Sequence, residues 1–300
     1  MNKFFKKLGI FFLPIIIVVF FFEYNLSQIP TSYSVKKNYL EENISKIQIL
    51  VLGSSHALNG INPEYFSKNT FNIANSSQSI YYDMKIFEKY VLKFKKLKKV
   101  IIPISYFSLE YNFSGPESWK EFFYKRVYGI DPEIIKKRFD IRNYSFLMLY
   151  GQIRAISYAL KGFDVDLVMT MNKTGYVPVQ EGIVKKINDM EAITLHESIM
   201  KKSNIDKNIE YLEKILTLAR SVGIEPIFVT IPVSSSYYNN IDKEKYLEMQ
   251  KNIKILSSKY NVKYFNYFFD ERFTDVDFVN SDHLDAYGAE KFTKILEEVL

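Results

Sequence analysis

The chain has 300 residues, 47% of them hydrophobic and 25% charged, which is enough to bury a substantial core and too apolar for extended disorder. The formal charge of +6 is mild, half of that excess sits on Lys3, Lys6 and Lys7, and the other lysines are scattered among glutamates, so nucleic acid is not expected as a partner. Cysteine is absent, which excludes disulfides, thiolate nucleophiles and cysteine metal ligands together.

The first element is apolar. Residues 8–22, "LGIFFLPIIIVVFFF", carry no charge, and with Phe4 and Phe5 the stretch approaches the ~20 residues that cross a bilayer. Lysines before it and Glu23 after it predict an inner-membrane, single-pass signal anchor with residues 1–7 in the cytoplasm and the remainder exported. No small-residue cleavage pattern follows. Residues 23–46 read as a polar stem, with a short helix through "KKNYLEENISK".

From residue 47 onward strands alternate with helices. "IQILVLG" (47–53), "TFNIAN" (70–75), "KKVIIPIS" (98–105), "IEPIFVTIPV" (224–233) and "VKYFNYF" (262–268) are apolar runs of strand length. Between them, "SIYYDMKIFEKYVLKFKKL", "NIEYLEKILTLARSVG" (208–223) and "KEKYLEMQKNIKILSSKY" have helical spacing, and "AYGAEKFTKILEEVL" closes the chain as a last helix. The predicted fold class is therefore α/β: a flavodoxin-like parallel sheet with helices on both faces, spanning 47–300. Residues of about 111–203 break the rhythm and are expected as a mostly helical insertion.

In such sheets ligands bind beyond the carboxyl ends of the strands. "GSSHALNG", "NSSQS", "SYFSLEY", "SSSYYNN" and the loop "DVDFVNSDHLDAYG" all fall at that edge. A serine becomes a nucleophile when a neighbouring base takes its proton, and the chain holds only three histidines. His283, between the last strand and the last helix, is placed to reach back to the end of the first strand. His56 follows Ser55 directly and reads as a bystander that packs or orients the loop, and His196 reads as a structural residue of the insertion. The spacing of Asp275, Asp277, Asp282, His283 and Asp285 matches no metal loop, and the turn at 53–55 lacks a phosphate-loop lysine, so neither metal nor cofactor is expected.

Gly53-Ser54-Ser55 after a first strand, with Asp282-His283-Leu284 and Gly288 before a last helix, resembles the SGNH/GDSL hydrolase superfamily. The resemblance is nearest to membrane-anchored bacterial members linked to O-acyl modification of cell-envelope polysaccharide. It covers roughly 47–110 and 204–300 and leaves the anchor and insertion outside. It implies Ser55 as nucleophile, with Ser54 at the family's aspartate position, and His283 as base. The family places Asp three residues before that histidine; here the position is Asn280. An amide oxygen there can hold the ring's tautomer without supplying charge. Either Asn280 or Asp282 is expected to orient the ring, although Asp282 lies close to His283 along an extended segment and Asp277 would need a bend to reach it. The resemblance also implies oxyanion donors at Ser55, near Ser77 in place of the family's glycine, and at Ser105 in place of its asparagine, with Asn75 as a further amide. Ser235, Tyr237 and Trp119 are candidate sugar-binding residues.

Two functions follow as expectations. The first is a membrane-anchored extracytoplasmic esterase or O-acyltransferase working through an acyl-enzyme on acyl esters of a cell-envelope glycan, beside a membrane-bound acyl-exporting protein. The second is a noncatalytic glycan-binding or scaffold protein of an envelope-modification complex.

Overall fold

The computed structural model describes residues 2–113, 115, 117–151, 170–179 and 189–300. The chain divides into two compact units, one of residues 1–34 and 119–169, the other of 35–118 and 170–300.

In the first unit, helix α1 (Asn2–Ser27) takes in the whole apolar run, with Pro14 inside it. It is the one helix among the described residues long and apolar enough to cross a membrane, and its apolar side chains stand exposed. The helix continues past the charge-free stretch because its last turn is packed. Leu26 and Ile29 meet Phe146, Leu147 and Tyr150, while Glu23 accepts the backbone N–H of Phe146 at 2.8 Å and of Leu147 at 3.1 Å. Helix α2 (Ser32–Asn43) crosses the boundary between the units. In the second unit its Lys36 is fully buried and donates to the carbonyl of Asn72 at 3.0 Å and to that of Ala74. The segment 23–46, expected as a polar stem, is thus packed at both ends. The expected insertion is also divided, since 119–169 belong to the first unit and 170–203 to the second. The helical run expected through "YSFLMLYGQIRAISYAL" is described only as far as Gly151, with a helix at Phe146–Tyr150; its remainder lies outside the described residues.

The second unit is built on five parallel strands: β1 (Ile49–Val51), β2 (Thr70–Asn72), β3 (Lys99–Pro103), β4 (Glu225–Thr230) and β5 (Lys263–Asn266). Their order is β2-β1-β3-β4-β5, the flavodoxin-like 2-1-3-4-5 arrangement. The strands are shorter than the apolar runs, but ladder bonds continue past them. Ile73 N donates to Val51 O, Asn75 N to Gly53 O and Ile104 N to Val229 O. The polar loops therefore leave the sheet side by side.

Helices α3 (Ser55–Gly60), α4 (Ile80–Tyr90), α5 (Asp189–Ile199), α6 (Ile205–Ser221), α7 (Ser235–Asn240), α8 (Lys243–Lys259) and α9 (Ala286–Val299) complete the unit. Val51, Ile101, Ile227 and Val229 of the strands pack with Leu58, Ala289, Phe292 and Leu296 of α3 and α9 in one core cluster. Burying such side chains contributes roughly 1.5–3 kcal/mol each, so α3 and α9 are fixed on the sheet without disulfides. The strand order reverses between β1 and β3, and in such sheets a crevice opens there beyond the carboxyl ends of the strands.

Candidate active site

The β1–α3 turn is shaped by Gly53. Its φ is +114°, and a Cβ there would lie 3.1 Å from Ala57 Cβ and 3.2 Å from Pro103 Cγ. Its N–H donates to Asp83 Oδ1 at 2.8 Å, which anchors the turn to the first turns of α4. Burial pushes the Asp83 carboxyl up to about 7, against the hydrogen bonds from Gln78 and Gly53. Ser54 then adopts extended backbone as the helix cap, and Ser55 opens α3 half-buried, with a backbone N–H that has no intrahelical acceptor.

The opposing loop, 277–285, is folded back on itself. Asp285 N donates to Asp277 O, Val279 N to His283 O, and Ser234 N to Ser281 O, which holds the loop against the end of β4. Asn280 Oδ1 accepts the N–H of Asp282 at 3.2 Å and of His283 at 2.8 Å, bending the backbone between them. Gly288 permits the close approach of α9, because a Cβ would lie 2.1 Å from Asp277 O.

This bend brings the chemistry together. His283 Nε2 lies 2.9 Å from Ser55 Oγ. Its Nδ1 lies 3.1 Å from Asp282 Oδ1 and 3.2 Å from Asn280 Oδ1, so both residues face one ring nitrogen. The extended segment that would have kept Asp282 off the ring is not what the chain adopts: the Asn280 side chain closes a turn, and the adjacent carboxylate meets the imidazole.

Asp282 is 3% exposed and is faced by all three histidines. Its Oδ2 lies 3.1 Å from His56 Nε2 and 3.6 Å from His196 Nε2. Burial would raise this carboxyl, but the His283 charge and the hydrogen bonds from His283 and His56 hold it well below the usual aspartate range. Burial would equally lower His283, yet the Asp282 carboxylate raises it above an ordinary histidine. His56 and His196 go the other way: burial lowers both, His196 to about 4, despite the nearby carboxylate. At neutral pH the site therefore holds one ionised acid, one basic imidazole and two neutral ones.

The other sequence candidates divide. Asn75 Nδ2 is buried and has no hydrogen-bond partner, which leaves a donor free near the end of β2. Ser77 has left-handed backbone at φ +60°, the conformation glycine takes most readily, and its carbonyl accepts the Tyr111 hydroxyl at 3.1 Å. Ser105 cannot serve the oxyanion as expected, because its N–H donates to Ser108 Oγ at 2.8 Å and its hydroxyl meets His56 Nδ1 at 2.9 Å. Tyr237 is fully buried, its hydroxyl 2.7 Å from His196 Nδ1, so its ring offers no face for a sugar. Ser235 is exposed at the start of α7. Trp119 belongs to the first unit, where its ring meets Phe123 edge-on at 5.9 Å.

Sequence reasoning missed His56 as a partner of the acid, His196 and Tyr237 behind it, and Asp83 beneath the turn. The available signal was scarcity: the chain has three histidines, and all three face one carboxylate. His56, Asp282 and His283 each place a ligand-type atom within 4.8 Å of the others. Those atoms are closed on one another in hydrogen bonds, and His283 Nε2 is turned to Ser55.

No protein-family model and no curated protein matches the sequence. Among solved structures, a "putative acylhydrolase" from Bacteroides fragilis superposes with a TM-score of 0.43 at 10% identity, over 88% of this chain and 94% of that one. A "GDSL-like lipase" from Bacteroides thetaiotaomicron gives 0.43 at 11%, over 89% and 97%. A "putative platelet activating factor" from Streptococcus pneumoniae gives 0.46 at 13%, over 88% and 90%. Likeness this loose leaves the residues themselves to carry the assignment. They form a serine–histidine–aspartate constellation at the reversal point of a parallel 2-1-3-4-5 sheet.

Proposed function

We propose that the protein is a membrane-tethered serine esterase or O-acyltransferase of the SGNH/GDSL kind, acting on acyl esters of a cell-envelope glycan. The observation that carries the reading is the 2.9 Å contact of Ser55 Oγ with His283 Nε2, backed on the other ring nitrogen by Asp282.

The residues perform the chemistry in two balanced halves. His283 Nε2 takes the Ser55 proton as Oγ attacks the ester carbonyl carbon, and the imidazolium is stabilised by ionised Asp282. Collapse of the tetrahedral intermediate breaks the carbon–oxygen bond to the leaving alcohol, which departs with the proton from Nε2. His283 then takes a proton from water or from a sugar hydroxyl, which attacks the Ser55 ester. The acyl group leaves as a free acid or as a new ester, and the proton returns to Ser55. The Ser55 N–H and the unpartnered Asn75 amide are the donors assigned to the developing oxyanion; such donors contribute roughly 2.7–4 kcal/mol each.

The unburied apolar helix and the lysines before it support a single-pass anchor with the N-terminus inside and residues beyond Ser27 outside the cytoplasmic membrane. A membrane-bound acyl exporter would then deliver the acyl group to Ser55 on the outer side. The test is to incubate the full-length chain in detergent with p-nitrophenyl acetate, quench in acid and locate the acetyl group by peptide mass. The reading expects acetyl on Ser55 and transfer to an added polysaccharide or to water. A folded protein that never acetylates leaves the noncatalytic scaffold as the function.

A further inference from the structure

The hydrogen bonds around Asp282 do not stop at the triad. Oδ1 meets His283, whose other nitrogen meets Ser55; Oδ2 meets His56 Nε2 at 3.1 Å, whose other nitrogen meets Ser105 Oγ at 2.9 Å. One carboxylate thus stands between two serine–histidine arms. Only the first is open, because the His56 side chain is 2% exposed and Ser105 5%.

We infer that the closed arm, His56 with Ser105, is a positioning device that grips Asp282 Oδ2 so that Oδ1 stays on His283 Nδ1. The inference rests on the serine–histidine–aspartate reading above. The need for a grip is local. Asp282 directly precedes His283 and shares the Nδ1–H with Asn280 Oδ1, at 3.1 and 3.2 Å. Without a hold on Oδ2 the carboxylate is free to turn away and leave the ring to the neutral amide.

The tautomers follow from charge. An ionised Oδ2 requires a donor, so neutral His56 presents Nε2–H to it and keeps Nδ1 as an acceptor. The Ser105 hydroxyl supplies the one proton that Nδ1 needs, and so selects the His56 tautomer as Asp282 selects that of His283. His196 adds a second neutral imidazole at 3.6 Å from Oδ2, with Nδ1 facing the Tyr237 hydroxyl at 2.7 Å. The ionisable groups facing the acid are thus His56 from α3, His196 from α5 and His283 from its own loop. Phe107 closes the arm with its ring 5.4 Å from His56 and 4.4 Å from His196.

The test is a double-mutant cycle read by the rate at which a fluorophosphonate probe labels the full-length chain in detergent. His56→Ala is expected to slow labelling about 10- to 100-fold, the range that a hydrogen bond to a charged group carries. His56→Gln, which keeps a donor for Oδ2, is expected to recover most of it. In an Asp282→Asn background His56→Ala is expected to cost nothing further, because the arm acts only through that carboxylate. Equal slowing in both backgrounds, or no slowing with Asp282 intact, overturns the inference. So does an acyl group recovered on Ser105.

A second readout needs no activity. In the nitrogen-15 histidine spectrum at pH 7, His56 is expected as the neutral Nε2–H tautomer, and Ser105→Ala is expected to disturb it. A His56 that is charged, or protonated on Nδ1, overturns the inference even if the chain proves to be no enzyme. Absence of labelling in the wild type bears instead on the proposed function.

Discussion

His283 Nε2 and Ser55 Oγ, 228 residues apart in sequence, lie 2.9 Å apart across the crevice between β1 and β3. The pair depends on two backbone devices, the left-handed Gly53 turn and the loop closed by Asn280. Each device predicts its own failure.

Asp282 and Asn280 face the same ring nitrogen but do different work. Asp282→Asn keeps the shape and removes the charge, and is expected to cut acylation of Ser55 about 10⁴-fold, the loss known for the equivalent change in a triad. Asn280→Ala leaves the Asp282 and His283 N–H groups without their acceptor. It is expected to destabilise by about 1–3 kcal/mol with a smaller loss of rate. Denaturant melts beside labelling rates separate the two.

Acylation requires neutral His283, whose proton affinity Asp282 raises against the opposing effect of burial. The rate is therefore expected to climb with pH through a midpoint above the ordinary histidine value of 6.5. A pH series of probe labelling measures it, and Asp282→Asn should move that midpoint down.

Two of the buried histidines withdraw stability on mild acidification. His56 and His196 have folded values below the ordinary 6.5, so below that pH the unfolded chain takes up protons that the folded chain refuses. Their contribution is present above 6.5 and is lost as pH falls toward the folded values, about 4 for His196. Asp83 works in the opposite sense. Its folded value of about 7 against an ordinary 3.8 gives stability that is present below 3.8 and lost as pH rises through 7. Asp83→Asn keeps an acceptor for the Gly53 N–H, and is expected to raise the melting temperature at pH 8 and leave it nearly unchanged at pH 3. Thermal melts across that range check the sign for both.

Gly53→Ala forces a side chain into a backbone at φ +114° and a space bounded at 3.1 and 3.2 Å by Ala57 and Pro103. A cost of about 1–3 kcal/mol is expected, with loss of labelling at Ser55. Gly223→Ala, with nothing near its Cβ and φ +74°, carries backbone strain of similar kind and should leave labelling intact.

The sheet was legible because strands buried on both faces are rich in apolar residues, as β1, β3 and β4 are, and the five runs predicted contain the five strands found, although β2 ends in the buried Asn72 and β5 is only half-buried. Ser55 and His283 were legible because only those loops combine a hydroxyl, an imidazole and a glycine at strand ends. Asp282 was legible only as one of two candidates to orient the ring, beside Asn280. Its orientation is decided by three donors on Asn280 Oδ1, a tertiary turn that the spacing of the residues does not specify. His56 was misread for a related reason. Adjacency to Ser55 suggests a ring that leaves the site, whereas it lies 5.0 Å from the His283 ring and on the same carboxylate. Tyr237 and Ser105 were assigned to substrate and oxyanion by place in the chain, whereas burial commits both to histidines.

The central claim is that Ser55 is a nucleophile activated by His283, and intact-mass analysis of the full-length protein after fluorophosphonate treatment tests it most directly. A single adduct on Ser55, lost in both Ser55→Ala and His283→Ala, is the predicted result. A folded wild-type chain that takes up no probe, or an adduct that persists in Ser55→Ala, would contradict it.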